Sequence, residues 1–246
     1  MDAPLPRQLF AEFLGSAFLA ATVVGSGIAA AQLSPGDTGL QLLENAAATA
    51  AGLFTFILMF GPVSGAHFNP VVSLADAAFG GLRWRHAVAY IPAQVAGCIA
   101  GAIAANVMFD LSAVSIATTH RASGSHLFAE VIATLGLLLV IFSLARSGRG
   151  NLAPAAVGAY IGSAYFFTSS TSFANPAIDV GRMFSDTFAG IAPASVPAFV
   201  VVQLLGGVVA IAVIRALYPD LTPEAAAEVM LPHAEKPSAE QSMGRD

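Results

Sequence analysis

Along the chain, apolar residues fall in long blocks with few charged interruptions, at about 8–32, 45–62, 86–109, 126–146, 152–169 and 194–217. Each is about as long as an α-helix must be to cross a ~30 Å hydrocarbon core. Two shorter apolar runs, about 70–79 and 176–187, each open on Asn-Pro. Asn is a preferred N-cap and Pro is favoured at the first helical position, so both runs read as helix starts. From Pro70 to Gly80 and Gly81 there are about ten residues, which reach ~15 Å, half the bilayer core. The pattern predicts an all-α integral membrane protein with six transmembrane helices and two re-entrant half-helices.

The acidic interruptions recur in order. Glu12 in Ala11-Glu12-Phe13-Leu14 has a counterpart in Glu130 of Ala129-Glu130-Val131-Ile132, and Gln94 and Gln203 recur in later spans. Charged residues in apolar spans face the bundle interior, so Glu12 and Glu130 are expected to act as structural acceptors for the loops that lead into the half-helices. The repeat divides one transmembrane domain, 1–217, into halves at about 1–109 and 126–217. Three spans per half give the halves opposite orientation, an inverted three-plus-three repeat whose interface lies at the midplane. Arg7, Arg83, Arg85, Arg146, Arg149 and Arg215 fall on one side, and Arg121 and Arg182 on the other. The positive-inside rule then places both termini in the cytoplasm. Residues 218–246 read as an acidic, solvated cytoplasmic tail, with Asp220, Glu224, Glu228, Glu235, Glu240 and Asp246 against Lys236 and Arg245.

A helix that begins inside a membrane needs a cavity or other protein at its first N–H groups. If Asn69 and Asn175 cap their own helices through the side-chain oxygen, their NH2 groups point into that cavity. Donors and positive helix ends suit a neutral solute with oxygen lone pairs and oppose cations and protons, which is channel chemistry. The alternative is a secondary transporter working by alternating access, for which Glu12 and Glu130 are the acids available to couple an ion.

Composition agrees with a membrane class: 56% of residues are hydrophobic and 10% charged, with a net charge of −5. Cys98 is the only cysteine, which excludes a disulfide framework and a Cys-rich metal site. His120 in the 110–125 connection and His126 just after it are too few for a metal site. No cofactor, nucleic-acid partner or enzyme activity is expected, since no nucleophilic triad, phosphate loop or paired catalytic carboxylates are present.

The contexts Ser64-Gly65-Ala66-His67-Phe68-Asn69-Pro70-Val71 and Ser172-Phe173-Ala174-Asn175-Pro176-Ala177 resemble the two Asn-Pro-Ala boxes of the aquaporin and aquaglyceroporin (major intrinsic protein) family. The resemblance covers nearly the whole chain and implies an aquaporin-like fold, a homotetramer with one pore per subunit, and a constriction beyond the second box. Water- and glycerol-conducting members carry an Arg directly after that box; here the place holds Ile178. The family's spacing puts the other constriction positions at Thr49, Ser163 and Ser172, all small or medium and none aromatic or charged. Such a wide, Arg-less constriction resembles bacterial aquaglyceroporin-like channels found with arsenic-resistance genes. It implies glycerol-like polyols, arsenous acid and water as solutes, and a bacterial inner membrane as the location. Val71 replaces the usual Ala and either spreads the half-helices or fills a gap. Arg182, one turn beyond Ile178, either lines the outer vestibule or pairs with Asp179 and Asp186, the spacing favouring the pairing. His67 is either a pH gate or a carbonyl-bonded spacer.

Overall fold

The structure, a computed structural model, describes residues 3–219; the charged part of the acidic tail lies outside these residues. Eight α-helices are present among them: α1 (Leu5–Leu33), α2 (Thr38–Ser64), α3 (Pro70–Phe79), α4 (Trp84–Met108), α5 (Gly124–Arg146), α6 (Ala153–Phe167), α7 (Pro176–Arg182) and α8 (Val196–Leu217). Five segments are long and apolar enough to cross a membrane, namely α1, α2, α4, α5 and Pro193–Leu217. The sixth span, α6, has only 15 residues. With the 3-10 turn Gly150–Leu152 before it, it reaches about 28 Å, enough for the hydrocarbon core. The fold is therefore the expected six spans and two half-helices, with α3 and α7 as the half-helices.

Local chemistry sets the ends. Asp37 caps α2 by accepting from Leu40 N at 2.9 Å, which starts that helix well before residue 45. α3 ends at Gly80, whose φ of 87° suits glycine. α7 stops at Arg182 and does not run on to 187. Past it, the carbonyls of Met183 and Phe184 accept from Ala117 N (2.9 Å) and Ser115 N (3.2 Å) of the α4–α5 connection. Asn106 of α4 also donates to Phe184 O at 2.9 Å. Groups that would continue the helix are thus bonded to another segment.

Small residues let the helices of each half touch backbone to backbone. A Cβ on Gly97 or Gly101 of α4 would sit 2.2 Å from Phe13 O or 2.1 Å from Ala17 O of α1. In the second half a Cβ on Gly206 of α8 would lie 2.8 Å from Val131 O of α5. Close approach of this kind supplies the packing that replaces a hydrophobic driving force in lipid. It also brings Gln94 to Glu12 and Gln203 to Glu130. Large apolar side chains such as Phe10, Phe18, Leu58, Phe128, Phe166 and Val208 remain exposed on the outside of the bundle, as a lipid-facing surface requires.

Gly101→Ala is expected to force α1 from α4 and lower stability by about 1–3 kcal/mol, the usual cost of overpacking. An unchanged thermal midpoint in detergent would show that the contact is not tight.

Candidate pore and its constriction

The loops 65–69 and 171–175 return the chain to the middle of the bundle, where their backbone N–H groups need acceptors. Glu12 Oε1 accepts from His67 N (2.9 Å) and Oε2 from Phe68 N (2.7 Å). Glu130 repeats this with Phe173 N (2.9 Å) and Ala174 N (2.7 Å). Gln94 and Gln203 donate to the same carboxylates at 2.8 and 2.7 Å, and Ser64 adds a further bond to Glu12 at 2.6 Å. Both glutamates are fully buried, so these donors stand in for the water they lose. The loops pay for this arrangement in backbone strain. Ala66, Phe68, Ser172 and Ala174 have φ of 50°, 49°, 53° and 47°, a left-handed conformation that costs a non-glycine residue about 1–2 kcal/mol.

Each loop ends in an Asn that caps its half-helix. Asn69 Oδ1 accepts from Val71 N at 2.9 Å; Asn175 Oδ1 accepts from Ala177 N at 3.0 Å and Ile178 N at 3.3 Å. The amide NH2 groups are not wholly free. Asn69 Nδ2 donates to Ala174 O at 2.7 Å and Asn175 Nδ2 to Phe68 O at 2.8 Å. The two halves are thus tied by a reciprocal exchange, which leaves each amide one further N–H to offer. Pro70 and Pro176 follow as the first helical residues, and both are buried.

Both Asn residues line a cavity within the bundle. Its walls are stripes at helical spacing: Thr49, Leu53 and Ile57 of α2 face Val157, Ile161 and Tyr165 of α6. Leu19 and Val23 of α1 and Leu137 and Ile141 of α5 complete the lining. Near the α4–α5 connection, Thr49 Oγ1 and Tyr165 OH are 3.1 Å apart. Ile178, Ser172, Phe173 and Arg182 also line the cavity, and Ser172 Oγ has no hydrogen-bond partner.

Comparison with known proteins agrees with this geometry. The sequence profile of the major intrinsic proteins matches residues 2–185. The chain belongs to the major intrinsic protein family. It is 45% identical over 219 residues to the aquaglyceroporin AqpS of Rhizobium meliloti, covering 89% of this chain and 93% of that one. It is 33% identical to a glycerol uptake facilitator protein of Pseudomonas aeruginosa, covering 78% and 79% of the two chains. The X-ray structure of the aquaglyceroporin from Plasmodium falciparum superposes with a TM-score of 0.69 at 21% identity, over 89% of this chain and 99% of that one. That likeness shows the aquaporin fold.

Within this major intrinsic protein fold, the predicted constriction residues are placed unequally. Thr49, Ser172 and Ile178 line the cavity. Ser163 does not: it is exposed and donates to Tyr160 O at 2.8 Å. The lining residue of α6 nearest to it is Tyr165, two positions on, because 200° of helical turn puts the two on opposite faces. The cavity wall that holds Thr49, Ser172 and Ile178 thus also carries an aromatic ring, Tyr165, and a cation, Arg182. Among the described residues Arg182 forms no ion pair with Asp179 or Asp186 within 4.0 Å, so the expected pairing is not formed. Asp186 accepts from Thr118 N at 2.9 Å and Asp179 from Gln203 Nε2 at 3.2 Å. Val71 fills a gap, since a Cβ on Gly207 of α8 would lie 2.6 Å from Val71 Cγ1. His67 bonds Ser73 Oγ through Nδ1 at 3.0 Å, and its Nε2 is 3.5 Å from Asp76 Oδ2; it is not bonded to a carbonyl. His126 Nδ1 lies 2.8 Å from Arg121 O.

Sequence reasoning passed over Asp76 and read Asp179 only as a partner for Arg182, and both acids are buried. Their signal was available, since each lies on a half-helix within a few residues of its box. Asp179 is informative because it occupies the place of Ser73 in the other half, each four residues beyond its box Asn. Gln94 Nε2 bridges Glu12 and Ser73 (3.0 Å) as Gln203 Nε2 bridges Glu130 and Asp179. In the second half a carboxyl thus replaces a hydroxyl, and Asp179 Oδ2 is buried without a hydrogen-bond partner among the described residues.

Two outcomes follow from this bonding. Glu130→Gln turns one acceptor into a donor that faces N–H groups, and should cost about 1–3 kcal/mol while solute flux per inserted protein survives. Flux lost in that variant and regained by changing pH would mark Glu130 as a coupling site of a carrier. Asp179→Ser installs the first-half residue type and removes a partly unsatisfied buried acid, so the thermal midpoint should rise by the equivalent of about 1 kcal/mol or more. A lower midpoint would assign Asp179 a stabilising partner.

Proposed function

We propose that the protein is a passive channel for small uncharged solutes, with glycerol-like polyols, arsenous acid and water as its solute class. The observation that carries this reading is the reciprocal Asn69–Asn175 exchange inside a lined cavity. It presents N–H donors from both halves at one level, between walls that are otherwise mostly apolar. A hydroxylated solute crossing such a passage exchanges water for those donors, while the scarcity of acceptors and the positive half-helix ends disfavour cations. Asn69, Pro70, Val71, Asn175, Pro176 and Ala177 form the boxes; Thr49, Tyr165, Ser172 and Ile178 form the constriction. The carrier alternative lacks a free coupling group in Glu12 and Glu130, whose oxygens are occupied by loop N–H groups.

The arginines of α1, the α3–α4 turn, the end of α5 and α8 lie at the end of the bundle where α1 begins and α8 ends. This supports termini in the cytoplasm and the α4–α5 connection outside. A homotetramer in a bacterial inner membrane is the assembly that the family resemblance implies. Residues 1–217 act as a single channel domain in this reading, with 218–246 as an appended acidic tail.

Swelling of proteoliposomes in water, glycerol and arsenous acid gradients tests the proposal. Flux that is linear with solute concentration and indifferent to ion gradients is expected; saturation with dependence on a proton or sodium gradient would favour the carrier. Ile178→Arg should fill the aperture and reduce glycerol flux more than water flux, measured per inserted protein. Equal relative losses would show that Ile178 does not set the solute range.

A further inference from the structure

We infer that Arg182 is the solute-reading cation of this channel, taking over one helical turn further along the pore the donor role that Ile178 leaves empty. This rests on the channel reading above and deepens it. Arg182 is four residues beyond Ile178, which is 400° of helix, so both project to nearly the same side about 6 Å apart along the axis. The side chain is 3% exposed and lines the same cavity as Ile178, Tyr165 and Thr49.

What holds it leaves its working end free. Nε–H donates to Ala189 O, and the guanidinium carbon stands 3.5 Å from the centroid of the Phe173 ring. Asp179 and Asp186, the acids on either side of it in sequence, are bonded to Gln203 and Thr118. Among the described residues the terminal nitrogens of Arg182 make no hydrogen bond. A buried guanidinium with unused N–H groups in a passage is a site for oxygen acceptors, and its planar fork suits two neighbouring oxygens of one solute. The charge, fixed against the ring of Phe173, also repels any cation that enters.

Arg121 sets this arrangement from behind. It does not line the cavity. Its Nε donates to Gly190 O at 2.8 Å and Nη2 to Phe188 O at 3.1 Å, the carbonyls on either side of the one that receives Arg182. Its guanidinium carbon is also 5.4 Å from the Phe173 ring centroid. Arg121 is therefore a positioning residue, which reaches from the α4–α5 connection to fix the 188–190 segment and through it the orientation of Arg182. The solute class is a small neutral molecule with vicinal oxygens, a polyol or an undissociated oxyacid.

The test uses the full chain in liposomes and two probes of nearly the same size and shape, urea and guanidinium, with glycerol as the polyol. Wild type should pass urea and glycerol and exclude guanidinium. Arg182→Ala should raise guanidinium flux relative to urea by about tenfold or more, because a fixed like charge costs an entering cation at least that factor. Arg182→Lys keeps the charge without the fork: guanidinium stays excluded, while the glycerol-to-water flux ratio changes about tenfold or more, the scale of one lost charge-assisted hydrogen bond. Arg121→Gln should shift both ratios in the direction of Arg182→Ala, by less. Arg182→Ala that inserts normally and still excludes guanidinium, with an unchanged glycerol-to-water ratio, overturns the inference and leaves the channel reading intact. Failure of both Arg182 variants to insert assigns the residue to folding and overturns it as well. A wild type that conducts neither water nor glycerol removes the channel reading itself.

Discussion

Backbone N–H groups in the middle of a membrane cannot be left without acceptors, and two buried glutamates meet that need here. Glu12 and Glu130 each receive two consecutive loop N–H groups and one Gln amide. An unsatisfied polar group in hydrocarbon costs several kcal/mol, which exceeds the strain of holding a loop residue such as Phe68 or Ala174 at positive φ. The carboxylates therefore dictate the loop conformation. Their positions on α1 and α5, with the glutamines on α4 and α8, tie the helices of each half to its own re-entrant loop.

The meeting of the halves depends on that loop conformation. With successive N–H groups turned toward the glutamates, the carbonyls of Phe68 and Ala174 are left to accept the Asn amide of the opposite half. Each Asn then does three things at once: it caps a helix, crosses to the other repeat, and offers an N–H to the cavity. Pseudo-symmetry makes the exchange reciprocal, so the midplane is fixed equally from both sides.

Function departs from that symmetry. The α2 and α6 stripes are matched in their aliphatic stretches, but at the end near the α4–α5 connection Thr49 meets Tyr165. In the same region α7 presents Ile178 and Arg182, and Phe173 is flanked by two arginines. The α4–α5 connection itself enters the site through Arg121, burial of which draws its pKa down while Tyr165 and Glu130 oppose that shift. A guanidinium keeps its charge under such a pull because its ordinary pKa is so high. One end of the passage is consequently polar and cationic, whereas the rest is lined mostly by aliphatic side chains.

Local chemistry was enough to reveal the spans, the two half-helix starts, the inverted repeat and the correspondence of Glu12 with Glu130, because each rests on apolar length, capping preference or recurrence. α7 was read too long, since its end is set by bonds to Asn106, Ser115 and Ala117, residues about 70 positions away. Ser163 was read as a pore residue, whereas Tyr165 is the residue nearby that lines the cavity, and the reason is similar. Spacing counted back from Asn175 passes through a loop whose return path is not written in its residues, and two residues of slip reverse the face of a helix. Arg182 had two acidic neighbours at pairing distance along the chain, and folding gave both of them other partners. Positions along a helix or a loop boundary follow from nearest neighbours in sequence; which side chain reaches a shared cavity depends on the packing of distant segments against one another.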